Sequence, residues 1–334
     1  MAAIGTDLVA LAPGAHLRWL LGFAPHPDER LCLALIGPDR AGFVMPGLNA
    51  ADARQHTDLP FWDWADAQGH GSALAAALAH VAPRARSVSL DEAMRADHAL
   101  ALVDALPGAA RGFAAETVGA LRMIKDAAEI AALRDNARIA DAAQTALRAA
   151  IRAGATERDL ADVARAAFAE HDARPAFGIV GTGGNSAFPH HRTGKTPVQP
   201  GDAIVVDIGG EKYGYFSDIT RMAALGAPPE GYDAVHGIVE AAVQAALAVI
   251  RPGVEARAVD AAARQVIAQA GYGANFTHRT GHGLGSEIHE PPYFTVEPGI
   301  YLPGRFGIRL EEVAVVTAGG AEILSSLPRA LHVA

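Results

Sequence analysis

Cysteine is almost missing from this chain: Cys32 is the single one among 334 residues. A lone thiol excludes an intramolecular disulfide framework and fits a reducing compartment. Basic residues are also in deficit, with 28 lysines and arginines against 37 acidic residues and a formal net charge of −9. That balance lacks the electropositive footprint of a nucleic-acid-binding protein. No uncharged apolar run of about 18 residues occurs, which argues against a membrane-spanning helix. The opening text, MAAIGTDLVALAPGAHLRWLLGF, has no basic region ahead of a continuous apolar stretch, so it makes a poor secretory signal. These absences lead us to expect a cytoplasmic protein that binds neither nucleic acid nor membrane.

Several catalytic signatures are absent too. GTGGN and GHGLG hold glycines, but neither forms a dinucleotide fingerprint or a phosphate loop ending in GK[ST]. HEPPY lacks the second histidine of a zincin helix, and its prolines break such a helix. There is no serine nucleophile elbow.

What is present is a globular composition, 50% hydrophobic and 19% charged, in a chain long enough for two cores. LCLALIGP at 31–38 and AGFVMPG at 41–47 read as strands closed by Gly and Pro. SALAAALAHVA at 72–82 and SLDEAMRA at 89–96 read as helices, giving a small α/β unit. Proline and glycine cluster at 105–113, in ALPGAARGF, near the expected domain boundary. We place the domains at 1–117 and 118–334. Two helices follow, DAAEIAALRDNARIADAAQTALRAAI and TERDLADVARAAFAEH, the second with Thr156 and Asp159 in a capping arrangement. Strand-like text from 177 to 225 leads to a second helix pair, and strand-like text resumes from 276 to about 317. Helix pair, strands, helix pair, strands suggests an internal two-fold duplication.

Chemistry concentrates in the strand-rich text. Asp207 ends the apolar run IVVD, Asp218 follows eleven residues on, His282 lies among glycines, Glu297 precedes Pro-Gly, and Glu311 stands in IRLEEVAVV. Singly, each has an ordinary explanation: Asp207 capping a turn, Asp218 paired with Arg221, His282 hydrogen-bonded, the glutamates facing solvent. Together they put four carboxylates and an imidazole on neighbouring strands. Four converging negative charges raise one another's pKa, and two divalent cations would balance them. Oxygen-rich ligation with one nitrogen suits Mn²⁺, with Co²⁺ or Zn²⁺ as other occupants. Such a pair of ions activates water and polarises a carbonyl, which implies hydrolysis.

The motifs VVDIGGEKYGYFSDITR, GHGLGSEIHEPP, VEPGIY and GIRLEE resemble those of the pita-bread metallopeptidases, in the Xaa-Pro aminopeptidase and Xaa-Pro dipeptidase (prolidase) branch. The resemblance is strong over roughly 120–334, from LRMIKDAAEIAALRDNARIA onward, and weaker over the first 115 residues. It implies an α/β (α+β) chain with a small N-terminal creatinase-like domain and a C-terminal pita-bread fold, working as a homodimer. It implies that Asp207 is a terminal ligand of one metal, that Asp218 and Glu311 bridge both, and that His282 and Glu297 complete the second. Glu297 would also take a proton from the attacking water. By the same resemblance His190, favoured over its neighbour His191, would assist the leaving nitrogen, and His289 would hydrogen-bond the tetrahedral intermediate. His278 would line the pocket for proline, with Tyr301 and Arg309 as supporting polar residues. The implied substrate is a peptide with proline at its second position.

One spacing departs from the family. Between HEPPY and the Glu297 strand its members carry about fourteen more residues than this chain. A shortened hairpin with PPYF as its turn accounts for this, and so does a loop omitted from this sequence. The join of PPY to FTVEPG, where such a loop would leave and return, favours omission. Two other readings stand beside the peptidase: a creatinase-like hydrolase of a non-peptide substrate, and a non-catalytic binding protein if the shortened 290–296 connection disables the site.

Overall fold

Two compact units make up the chain, Met1–Ile124 and Lys125–Ala334. The computed structural model describes residues 1–290 and 295–334, so the expected PPYF turn at 291–294 lies outside the described residues.

In the first unit a six-stranded sheet runs in the order Phe61–Trp64, Ala41–Pro46, Leu33–Ile36, Leu8–Leu11, Ser87–Leu90, Ala110–Phe113. Leu33–Ile36 pairs antiparallel with both neighbours, and the remaining pairs are parallel. Helix Gly71–Val81 covers one face through Leu74, Ala77, Leu78 and Val81. Two expectations need correction here. SLDEAMRA is not a helix: Ser87–Leu90 is a strand paired with Leu8–Leu11, and helix begins only at Ala96. Asp91 ends that strand because its carboxylate takes the N–H groups of Ala12 and Ala93, a local turn that competes with helix. The Pro-Gly cluster of 105–113 is a turn within this unit, between helix Ala96–Asp104 and strand Ala110–Phe113. The compact units divide after Ile124, and helix Val118–Arg122 stays with the first. Val118 joins the core around Leu17, and Arg122 donates to Nδ1 of His16 at 2.9 Å.

The second unit begins with helix Ala127–Ala149, opened by a capping box between Asp126 and Glu129, and helix Glu157–Glu170, opened by one between Thr156 and Asp159. Strands Arg174–Thr182, Ala203–Lys212 and Ile219–Ala224 follow in an antiparallel sheet. Helices Tyr232–Val249 and Ala256–Gln269 form the second pair. The chain ends in short strands, Thr295–Val296, Gly299–Leu302, Phe306–Arg309, Glu312–Thr317, Gly320–Ile323 and His332–Val333. The order helix pair, strands, helix pair, strands is therefore present.

Strand alternation explains why the sheet is buried on both faces. Ile204, Val206 and Ile208 pack with Leu147, Leu160 and Phe168 of the first helix pair. Ala203 and Val205 point the other way, into a core with Val235, Val239 and Ile267 of the second pair. With a side-chain period of two, Asp207 shares the face of Val205. Ile219 and Ala223 lie with the first core and Met222 with the second, so Thr220 also faces the Asp207 side. Asp207 and Thr220 are register partners across the ladder. The carboxylate is thus delivered to an interior face by the same alternation that builds the core. Among the described residues no helix is long and apolar enough to cross a membrane.

Candidate metal centre and active site

Asp207, Asp218, His282 and Glu297 line one cavity of about 340 Å³ together with His190, His278, His289 and Arg309. Asp207 lies within strand Ala203–Lys212, and the other three carboxylates flank strand ends. Asp218 precedes Ile219, Glu297 follows Val296, and Glu311 lies between Arg309 and Glu312. His282 is reached through Gly281, where an added Cβ would stand 1.8 Å from the Thr295 carbonyl oxygen. Only glycine lets these two backbones approach so closely.

Ligand atoms of Asp218, His282 and Glu311 all lie within 4.8 Å of one another, and all three residues are buried. Glu297 joins them through Oε1, 3.3 Å from His282 Nε2, and Asp218 Oδ2 is 3.6 Å from the same nitrogen. Neither contact is an ion pair. His282 Nδ1 donates to the Gly283 carbonyl at 3.0 Å, and burial pushes the imidazole down to about 4. The ring is neutral, and its bare Nε2 faces carboxylate oxygens. Acceptor facing acceptor is stable only with a proton or a cation between them.

Carboxylate electrostatics say the same. Burial, followed by the charges of Glu311, Asp207 and Glu297, raises Asp218 well above the ordinary carboxylate range. Burial and then Glu297 and Asp207 do the same to Glu311. Glu297 is pushed up to about 7, chiefly by burial, with Arg309 opposing and Asp207 reinforcing. Asp207 Oδ1 and Glu311 Oε1 are buried without a hydrogen-bond partner. Two orphaned anionic oxygens beside an unprotonated imidazole nitrogen fit divalent cations in an oxygen-rich set. Arg221 is not the counter-charge of Asp218, since it is committed to Glu312, Ser325 and the carbonyls of Thr220, Glu311 and Leu327.

Arg309 organises the other side. It donates to Asp207 Oδ2 at 2.6 Å, Thr220 Oγ1 at 3.1 Å, Tyr301 Oη at 2.9 Å and the Pro189 carbonyl at 3.1 Å. The Thr220 hydroxyl donates a hydrogen bond to Glu311 Oε2 at 2.9 Å. Tyr301 in turn donates to His278 Nε2 at 2.8 Å, while His278 Nδ1 donates to the Arg279 carbonyl. Burial lowers His278 to about 4, consistent with that neutral tautomer. His190 and His289 are exposed rings on the cavity, and the His289 ring lies edge-on to His282 at 4.3 Å. Burial and the nearby Arg279 charge hold His289 below its usual value. His191 is turned away and held by the fully buried Glu157 at 2.9 Å, leaving His190 as the member of the pair on the cavity.

Sequence reasoning passed over Lys125, Glu290 and Thr220. Glu290 takes hydrogen bonds from Ser286 and Glu287, exchanges both backbone bonds with Gly283, and forms a buried 2.9 Å ion pair with Lys125. An added Cβ at Gly285 would meet the Glu290 carboxylate at 2.6 Å. The loop from 283 to 290, which presents His289, is tied down by this one carboxylate. Lys125→Met removes one side of this buried pair, and we expect a loss of about 3 kcal/mol, seen in calorimetry as a melting point lowered by roughly 6–12 °C. An unchanged melting point would show the pair to be idle.

A pH prediction follows from the raised carboxyls. A carboxyl group whose folded pKa lies above its unfolded value stabilises the metal-free protein below the unfolded value, near 4.5 for Glu297, and that contribution is lost as pH rises through about 7. Cations replace those protons. The melting-point gap between Mn²⁺-loaded and chelator-treated protein should therefore widen from pH 5 to pH 8. A gap that narrows over that range would contradict the site electrostatics.

Comparison with known proteins agrees with this architecture. The model of metallopeptidase family M24 matches residues 131–318, and that of the creatinase/prolidase N-terminal domain matches residues 1–124. A probable dipeptidase, PepE, of Mycobacterium tuberculosis is 38% identical over 97% of this chain and 91% of its own. The Xaa-Pro dipeptidase of Pyrococcus furiosus is 36% identical over 63% of this chain and 65% of its own. The crystal structure of dipeptidase PepE from Mycobacterium ulcerans superposes with a TM-score of 0.94 at 35% identity, covering 99% of this chain and 94% of that one. A creatinase-like domain thus precedes a pita-bread catalytic domain with candidate metal-ligating side chains at its centre, and the chain belongs to metallopeptidase family M24.

Proposed function

We propose that this metallopeptidase holds two divalent cations, Mn²⁺ foremost, and hydrolyses the bond between an N-terminal residue and proline. The observation that carries this reading is the cluster of Asp218, Glu311 and His282, with unpartnered oxygens on Glu311 and Asp207. Relatives named dipeptidase and Xaa-Pro dipeptidase support the substrate class. Asp207 would serve one cation, Asp218 and Glu311 both, and His282 and Glu297 the other. When bound, the cations lower the pKa of water and polarise the scissile carbonyl.

The chain's own groups do the rest. Glu297, on the cavity wall with its Oε1 3.3 Å from His282 Nε2, would accept a proton from the attacking water. His289, on the same cavity, would donate a hydrogen bond to the carbonyl oxygen as negative charge develops there. His190 would supply a proton to the leaving nitrogen, which must be protonated as the C–N bond breaks. Arg309 fixes the Pro189 carbonyl and thereby the backbone that carries His190. His278, locked to Tyr301, offers a rigid wall against which a pyrrolidine ring can pack, with Phe177 and Ile179 as apolar neighbours in the cavity. A proline imide has no N–H to satisfy, so shape alone can select it.

Assays of the Mn²⁺-loaded protein on Ala-Pro and Ala-Ala test this directly. We expect kcat/KM to favour Ala-Pro by on the order of 100-fold, about 3 kcal/mol of selectivity, and chelation to abolish cleavage. Equal turnover of both dipeptides, or cleavage indifferent to chelation, would sink the reading.

A further inference from the structure

Glu157 opens helix Glu157–Glu170 and is fully buried. Four donors meet its carboxylate, so both oxygens act as acceptors. Oε1 accepts from the Thr182 N–H at 3.1 Å and from Asn185 Nδ2 at 2.8 Å. Oε2 accepts from the Gly194 N–H and from His191 Nε2, each at 2.9 Å. All of these donors belong to the stretch 182–194, and Thr182 and Gly194 are its two ends. One carboxylate therefore closes the base of the loop. Helix capping does not account for it, since Thr156 and Asp159 already form the capping box.

That loop presents His190 on a tight turn. The His191 N–H donates to the Phe188 carbonyl at 3.0 Å, which closes a four-residue turn. Pro189, with its fixed φ, takes the second place in the turn and His190 the third. The Pro189 carbonyl is held by Arg309 at 3.1 Å, and the fourth residue, His191, is held through its ring by Glu157. Among the described residues no hydrogen bond fixes the His190 ring itself, which lies exposed on the cavity. Its place there is set by the neighbours on either side. A general acid must stand within hydrogen-bond reach of the atom it protonates, and a shift of about 1 Å costs on the order of 100-fold.

We propose that Glu157 is a positioning residue: through His191 and the two loop ends it holds His190 where the released nitrogen takes its proton. The inference rests on the peptidase reading above and gives the turn a second anchor beside Arg309.

Glu157→Gln keeps the volume of the side chain, but its NH₂ group must face one pair of these donors. We expect kcat on Ala-Pro to fall on the order of 100-fold, with KM and bound Mn²⁺ unchanged. His190→Ala alone should cost on the order of 1,000-fold, and adding Glu157→Gln to it should cost less than about threefold more. A merely structural role would give the same loss in both backgrounds. His191→Phe keeps the bulk of the ring but cannot donate, and it leaves Glu157 in place. Its loss should be about tenfold and should likewise vanish without His190. In metal-free protein the NMR signal of the His190 ring, identified by its loss in His190→Ala, should shift or broaden in both variants. Equal losses with and without His190, or a His190 signal unmoved by either change, overturn the assignment. A wild-type protein that cleaves no Xaa-Pro peptide counts against the peptidase reading, and the ring signal then decides whether Glu157 positions His190.

Discussion

Glu311→Gln should lower kcat on Ala-Pro by on the order of a thousandfold, the several kcal/mol that metal-stabilised charge supplies to a hydrolytic transition state. Glutamine keeps the volume of the side chain, and its carbonyl oxygen can still accept from Thr220, as Oε2 does now at 2.9 Å. What it cannot do is present a second anionic oxygen. Glu311 Oε1 is buried with no partner, in a residue 1% exposed. Leaving an ionised oxygen in that state is tolerable only when a cation or a proton answers it. Removing the charge should also relieve the repulsion from Glu311 that adds to burial in raising Asp218. Metal-free Glu311→Gln protein is thus expected to be no less stable than metal-free wild type at pH 8, while binding less metal. Activity within tenfold of wild type would remove Glu311 from the ligand set.

Arg309→Leu should be the most destabilising single change in the site. The residue is 3% exposed, and its guanidinium joins Asp207, Thr220, Tyr301 and Pro189. Breaking one partner of a buried pair leaves the other charge uncompensated, at about 3–5 kcal/mol, or roughly 6–20 °C in melting point for a unit of this size. Metal can take over part of the compensation of Asp207, so the loss should be smaller in Mn²⁺-loaded protein. Activity should fall as well, through the Pro189 carbonyl next to His190 and through the Tyr301–His278 link. Arg309→Lys restores the charge without the planar fork, so it should recover the melting point only in part. A full rescue by lysine would mean that charge alone matters at this position.

Asp207, Asp218, Glu297 and Glu311 could be singled out because each stands in or beside strand-like text of characteristic spacing. Asp207 after IVV and Glu311 within IRLEEVAVV are cases where burial of a carboxylate can be read from its neighbours. The two helix pairs were legible from their three-and-four spacing and their caps. Local text failed where tertiary pairing decided the outcome. Ser87–Leu90 is a strand because Leu8–Leu11 lies beside it, and helix-like composition downstream hides this. The Pro-Gly cluster of 105–113 misled because Pro and Gly mark turns inside a domain as readily as linkers between domains. Lys125 and Glu290 escaped notice for a related reason: they are 165 residues apart, and neither carries any local sign of its partner. The unusually short connection before Glu297 was visible as a spacing anomaly. Glu297 itself lies on the cavity with His282.

Titration of metal-free protein with Mn²⁺, following bound ion and Ala-Pro cleavage in the same samples, tests the central claim most directly. Two equivalents should bind per chain, with cleavage saturating only as the second is taken up. Full activity at one equivalent, or cleavage by protein free of bound metal, would contradict the assignment of these five residues to a dinuclear centre.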